Sequence, residues 1–135
     1  MPQFRLKTEV EVPRPEQEEF PIRYFFYGTL GNEDVLRRLF RELDGEGVIY
    51  ELKAAYVVGG RLAMWNGKYK ALLDAPGSKE EIHGFAFWVR SKEHEGVLRS
   101  YETDAYEVVK CRIHVNGEGE LDGCTFRFRD VRKTT

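Results

Sequence analysis

Tyr24-Phe25-Phe26-Tyr27-Gly28-Thr29-Leu30-Gly31-Asn32-Glu33-Asp34-Val35-Leu36 decides the fold, because its hydrophobic period changes partway along. Tyr24 to Tyr27 is an unbroken apolar run, the mark of a strand buried on both faces. Gly28 ends it. Asn32 can accept hydrogen bonds from the first N–H groups of a helix, and Glu33 and Asp34 suit the positive end of its dipole. Val35, Leu36, Leu39, Phe40 and Leu43 then recur at helical spacing, and Asp44-Gly45-Glu46-Gly47 closes the helix. A strand that turns into a helix leaves N–H donors around Gly28, Thr29 and Leu30 without helical acceptors. Preorganised donors of this kind bind a carboxylate well. The same turn could equally be a plain exit from a strand, with Tyr27 a core aromatic, and the residues alone leave both readings open.

Outward from this stretch the periods keep switching. Strands are expected at about 49–58, 62–65 and 69–73, separated by Gly59-Gly60 and by Asn66-Gly67, the latter a hairpin-type pair. The loop Asp74-Ala75-Pro76-Gly77-Ser78 leads to another strand over 82–89. Ser91 can cap a short helix that carries Val97, Leu98 and Tyr101 on one face. A closing hairpin joins 106–115 to 124–128 across Asn116-Gly117-Glu118-Gly119. Two helices are too few to cover a doubly wound parallel sheet. The order therefore predicts an α+β domain: a small, mixed, strongly curved barrel-like sheet with two flanking helices.

Composition limits the function classes. The 135 residues suit one domain with a real core, at 41% hydrophobic and 33% charged residues. A net charge of −2 with both signs interleaved offers no basic face to nucleic acid. No apolar run is long enough to span a bilayer, and no secretion-signal pattern opens the chain. Cys111 and Cys124 lack metal or disulfide-framework spacing and fit two reduced thiols, so a cytoplasmic protein is expected. Residues 1–21 carry Pro2, Pro13, Pro15 and Pro21 with Glu9, Glu11, Glu16, Glu18 and Glu19. They read as an extended N-terminal arm, followed by one domain over 22–135. Composition is silent on the oligomeric state.

Gly28-Thr29-Leu30-Gly31 lacks the lysine and spacing of a phosphate-binding loop. His83, His94 and His114 fall on separate elements without a ligand-like partner, so no metal site is expected. No serine sits in a nucleophile elbow. Tyr101-Glu102-Thr103-Asp104-Ala105-Tyr106 is more telling. An acid at a helix end is usually solvated, but Val97, Leu98, Tyr101 and Tyr106 could wrap Glu102 in apolar surface. That would raise its pKa toward neutrality and fit it for proton transfer. Asp104 is the competing carboxylate.

At these residues the chain resembles the gamma-glutamylcyclotransferase-like superfamily, in its AIG2-like branch. A strand ending in Tyr-Gly-x-Leu corresponds to Tyr27-Gly28-Thr29-Leu30. Tyr-Pro-Ala-Leu corresponds to Tyr69-Lys70-Ala71-Leu72, and a glycine-bearing strand to His83-Gly84-Phe85-Ala86-Phe87. A helix followed by a glutamate and then a tyrosine corresponds to Glu102 and Tyr106. The four segments keep their order over about residues 24 to 115.

The resemblance implies a small mixed barrel with flanking helices. It implies that Tyr27, Gly28, Thr29 and Leu30 hold the gamma-glutamyl end of a small-molecule substrate, with Tyr69 and Tyr106 also in the binding site. It makes Glu102 the general acid/base. The implied reaction is an intramolecular cyclisation that releases pyroglutamate and a free amine, with no cofactor. Lys70 stands where the family usually has proline, Leu98-Arg99 where Leu-Asp often precedes the glutamate, and Val108 where a basic residue often follows the tyrosine. These departures leave open which gamma-glutamyl amine, peptide or conjugate is used. A non-catalytic module of the same fold, binding a small ligand or a protein, is the alternative.

Overall fold

The computed structural model describes residues 20–65, 69–102 and 105–128, without the side chains of residues 64–70. The expected arm thus lies outside the described residues except for Phe20 and Pro21. Asp104 and the Asn66-Gly67 turn also lie outside them.

β1 (Ile22–Phe26) is the buried aromatic strand, and its neighbours explain why no polar face is present. It pairs antiparallel with β5 (Ile82–Val89) on one side and parallel with β7 (Gly119–Phe128) on the other. β5 continues antiparallel to β2 (Lys53–Val57), which pairs with β6 (Tyr106–Val115). β6 and β7 form a long antiparallel hairpin that closes a barrel of order β1-β5-β2-β6-β7. A separate two-stranded sheet is made by β3 (Gly60–Trp65) and β4 (Tyr69–Asp74). Residues on alternate positions of each strand therefore face opposite sides. Phe25, Ala55, Val57, Ile82, Ala86, Val109, Cys111, Ile113 and Val115 fill the barrel interior, and Leu72 of β4 packs into the same cluster. The β3–β4 pair thereby covers one end of the barrel.

The opposite face of the same strands carries a second core. Tyr24, Phe26, Phe87, Val89, Cys124 and Phe126 pack there against Leu30 of the turn after β1 and against Leu36, Phe40 and Leu98 from the helical segments. Glycine is dictated where the barrel wall closes most tightly. A Cβ on Gly84 would collide with the Phe26 carbonyl oxygen, and one on Gly123 with the Arg23 carbonyl oxygen.

The expected first helix is two. α1 (Glu33–Leu39) is capped by Asn32, whose Oδ1 accepts from Asp34 N (2.7 Å) and Val35 N (3.3 Å). At Phe40 the backbone leaves helical geometry (φ −96°, ψ 8°), and α2 (Arg41–Asp44) follows. Phe40 is held by ring contacts to Tyr50, Phe87 and His94, with centroids 5.4, 6.2 and 4.7 Å away. Anchoring that ring redirects the chain, so Leu43 is 45% exposed instead of continuing the apolar stripe. Asp44 pins the far end, accepting from Tyr50 Oη (2.7 Å) and pairing with His94 Nε2 (2.9 Å) and Arg90 (3.1 Å). Ile49, expected to start a strand, is 82% exposed, and β2 begins only at Lys53. β7 begins five residues earlier than expected, at Gly119. Its polar start is paired residue for residue with β6 and laced to Arg112 by Glu120 (3.0 Å) and Asp122 (2.9 Å).

Candidate active site

The end of β1 and the end of α3 (Lys92–Glu102) meet at the rim of the barrel. α3 starts where Ser91 Oγ accepts from His94 N (3.2 Å), and His94, Glu95 and Leu98 are buried against the barrel. Tyr101, expected on that buried face, is instead 40% exposed. Its hydroxyl hydrogen-bonds Thr29 Oγ1 at 2.9 Å, so it ties the helix end to the glycine turn rather than filling core.

The turn itself is closed by Gly31 N donating to Gly28 O (3.0 Å). Among the described residues, no group accepts a hydrogen bond from the N–H of Gly28, Thr29 or Leu30. Gly28 and Thr29 are exposed, while the Leu30 side chain is anchored in the outer core. A Cβ on Gly28 would touch nothing within 4 Å, and its φ is not in the left-handed region. Neither backbone strain nor packing demands glycine here, in contrast to Gly84 and Gly123.

Tyr27 follows Phe25 on the interior face, its ring stacked on Phe25 at 6.3 Å. Its hydroxyl donates to the Phe126 carbonyl of β7 (2.7 Å) and accepts from Leu72 N of β4 (3.3 Å). Burial pushes the Tyr27 phenol far above its ordinary range. The nearby Tyr106 and Glu102 push the same way, while the Leu72 N–H opposes them. Tyr27 is therefore a neutral strut joining β1, β7 and the β3–β4 pair, with Glu102 close enough for its charge to be felt.

Glu102, the last residue of α3, has its carboxyl pushed up to about 7 by burial. Among the described residues it has no hydrogen-bond or ion-pair partner. A half-buried acid with no cation to hold its charge changes protonation near neutral pH. Tyr106 is half-buried at the start of β6, against the outer core. Tyr69 opens β4 opposite Trp65. The fold thus brings Tyr27, Gly28, Thr29, Leu30, Glu102 and Tyr106 to one region of the barrel. Trp88 lies at the opposite end of β5 from this rim, with the Arg23 guanidinium 4.4 Å above its ring. No group of three His, Cys, Asp or Glu side chains suited to a metal ion is found among the described residues.

A family model described as gamma-glutamyl cyclotransferase, AIG2-like, matches residues 24–134. The chain belongs to that family. Its fold recurs in solved structures. A protein of Arabidopsis thaliana known from its solution structure superposes with a TM-score of 0.67 at 14% identity, covering 86% of this chain and 64% of its own. A human protein described as uncharacterized gives 0.59 at 17%, covering 82% and 68%. A gamma-glutamyl cyclotransferase gives 0.53 at 16%, covering 80% and 66%. The chain spans about two thirds of the length of these relatives. No curated protein sequence matches it.

Two residues at the barrel rim escaped the sequence reading. Glu107 and Arg127 face each other across the β6–β7 hairpin, with Arg127 Nε donating to Glu107 Oε2 at 3.0 Å and its Nη2 bonding the same oxygen. Alternation was the available signal. Glu107 shares the face of Val109, Cys111 and Ile113, and Arg127 that of Thr125. Both are charges on the inward positions of barrel strands.

Proposed function

We propose that this AIG2-like chain is a gamma-glutamyl cyclotransferase, with Glu102 as its general acid/base and the Tyr27–Leu30 turn as its carboxylate site. The observation that carries the reading is the pairing of three unclaimed N–H groups with a carboxyl held near pH 7 at the same rim. A gamma-glutamyl group is a zwitterion, so its recognition needs an anion site and a proton acceptor within one small molecule's reach. The alpha-carboxylate sits on the N–H groups of Gly28, Thr29 and Leu30, which cost no reorganisation when it binds. The open slot over Gly28 lets the ligand approach the backbone.

Glu102 then removes a proton from the alpha-ammonium. The freed amine attacks the gamma-carbonyl carbon of the same molecule, forming the lactam C–N bond. As the original amide C–N bond breaks, Glu102 returns that proton to the departing nitrogen. The new lactam nitrogen sheds its second extra proton, which the released amine takes up as its ammonium form, giving pyroglutamate and an amine. Holding both reacting ends of one molecule in a cyclising geometry supplies much of the rate. A pKa near the working pH makes both proton transfers inexpensive. Tyr69 and Tyr106 complete the binding site in this reading. Buried thiols outside any disulfide at Cys111 and Cys124 suit the reducing cytoplasm.

The test is pyroglutamate release from a panel of gamma-glutamyl amines, amino acids and peptides, with wild type beside Glu102→Gln. Release that depends on Glu102 is expected. Binding of a panel member by wild type with no pyroglutamate would move the assignment to a ligand-binding module.

A further inference from the structure

We infer that Arg127 at the barrel rim is a carboxylate-recognition site for the leaving group, so that the substrates are gamma-glutamyl amino acids or peptides rather than gamma-glutamyl alkylamines. The inference rests on the cyclotransferase reading and names the substrate class of that same site. The parallel register of β1 and β7 pairs Tyr24 with Cys124 and Phe25 with Thr125. Two residues on, it sets Tyr27 level with Arg127, on the shared interior face. The Tyr27 hydroxyl bonds the carbonyl of Phe126, the residue next to Arg127. Arg127 therefore lies one strand away from the turn that takes the gamma-glutamyl end.

Its guanidinium is only partly used. The side chain is 11% exposed, and Glu107 Oε2 takes both Nε and Nη2. The terminal Nη1 is fully buried and, among the described residues, has no hydrogen-bond partner. Burying a donor without an acceptor is costly, and a guanidinium presents its donors in a planar fork suited to carboxylate oxygens. A ligand carboxylate arriving at Nη1 would meet that need. Glu107 meanwhile fixes the plane of the fork and balances its charge while the site waits. Arg23, at the other end of the barrel, shows the contrast. Its terminal nitrogens both reach Glu118 (2.8 and 3.4 Å) and it lies over Trp88, so among the described residues only the inner Nε lacks a partner.

The experiment is calorimetric titration of Glu102→Gln, which holds ligands without turning them over. The probes are gamma-glutamyl-alanine and gamma-glutamyl-ethylamide, which differ only by the leaving-group carboxylate. The alanine conjugate is expected to bind about tenfold tighter or more, the range of a charge-assisted hydrogen bond. Adding Arg127→Gln should bring that ratio to within about threefold. If Glu107 left alone prevents folding, Glu107→Gln with Arg127→Gln gives a neutral pair of similar shape for the same comparison. Equal binding of the two probes before Arg127 is changed would overturn the inference and leave the cyclotransferase reading standing. Equal weakening of both probes by Arg127→Gln would overturn it too, because Arg127 would then serve the alpha-carboxylate or the fold. Binding of neither probe would defeat the underlying reading, and this inference with it.

Discussion

Glu95 and Glu102 lie two helical turns apart on α3 and so share a face of the helix, yet they are buried to different ends. Glu95 is 4% exposed and accepts a 2.5 Å hydrogen bond from the Tyr24 hydroxyl, whose own proton burial holds all the more firmly. Glu102 stands at the helix end beside Tyr27 with no such donor among the described residues, and burial alone lifts its carboxyl to about 7. A carboxylate satisfied by a neighbour is committed to the fold. One that is desolvated and left unsatisfied keeps its proton exchangeable at neutral pH, and that is useful only if a substrate supplies the missing partner.

Mutating the second acid should give the largest effect. Glu102→Gln keeps the shape but cannot accept an ammonium proton, so kcat should fall by at least about 10²–10⁴-fold while ground-state binding persists. In wild type, kcat/KM should rise with pH through about 7, because the base works only when deprotonated. Both are read from initial rates of pyroglutamate formation between pH 5 and 9. Turnover by the Gln variant at the wild-type rate would erase the distinction between the two glutamates.

Changing the first acid should do the opposite. Glu95→Ala leaves the Tyr24 hydroxyl buried without its acceptor, at a cost of about 2–3 kcal/mol in stability. The urea midpoint should drop accordingly, while kcat/KM per folded molecule stays within about threefold. A stable Glu95→Ala protein with collapsed activity would mean that both acids belong to the site.

The partner that Glu102 lacks is expected to arrive on the turn. Gly28→Ala should fold normally, since a methyl there touches nothing, yet weaken ligand binding by about tenfold by crowding the donors. Gly84→Ala, where the methyl meets the Phe26 carbonyl, should instead fail as a fold. Thermal melting beside calorimetry separates the two, and Gly28→Ala with undiminished binding would remove the turn from the site.

Much of this was legible in the chain because local periods carry it. The apolar run at β1, the Asn32 cap, the start of α3 at Ser91 and the strands β5 and β6 all follow from neighbours in sequence. Glu102 stood out because its surroundings in sequence are apolar. What stayed hidden depends on contacts made far along the chain. The break at Phe40 is imposed by Tyr50, Phe87 and His94. The early start of β7 is imposed by pairing with β6, against a stretch whose glycines and charges read as a loop. Tyr101 looked like core by helical spacing, but its hydroxyl is taken by Thr29 across 72 residues. Arg127 and Glu107 became visible only once barrel closure fixed which side of each strand is inside.

The smallest effect separates the acids without any substrate. Since the Glu102 carboxyl titrates near 7 when folded, against 4.5 ordinarily, the folded chain binds its proton where the unfolded chain has released it. The stability from this group is then fully present below about pH 4.5 and lost as pH rises through about 7. A displacement of that size is worth at most about 3 kcal/mol, and partial exposure reduces it to about 1 kcal/mol. Glu102→Gln has no such slope, while every other group titrates alike in both proteins. The variant should therefore gain on wild type from pH 5 to 7 and hold a lead of about 1 kcal/mol at pH 8, read from urea midpoints. An inactive variant that is also more stable at pH 8 is the signature of an acid buried for chemistry at the expense of the fold. A variant less stable than wild type at pH 8 would place Glu102 with Glu95, among the acids that hold the barrel together.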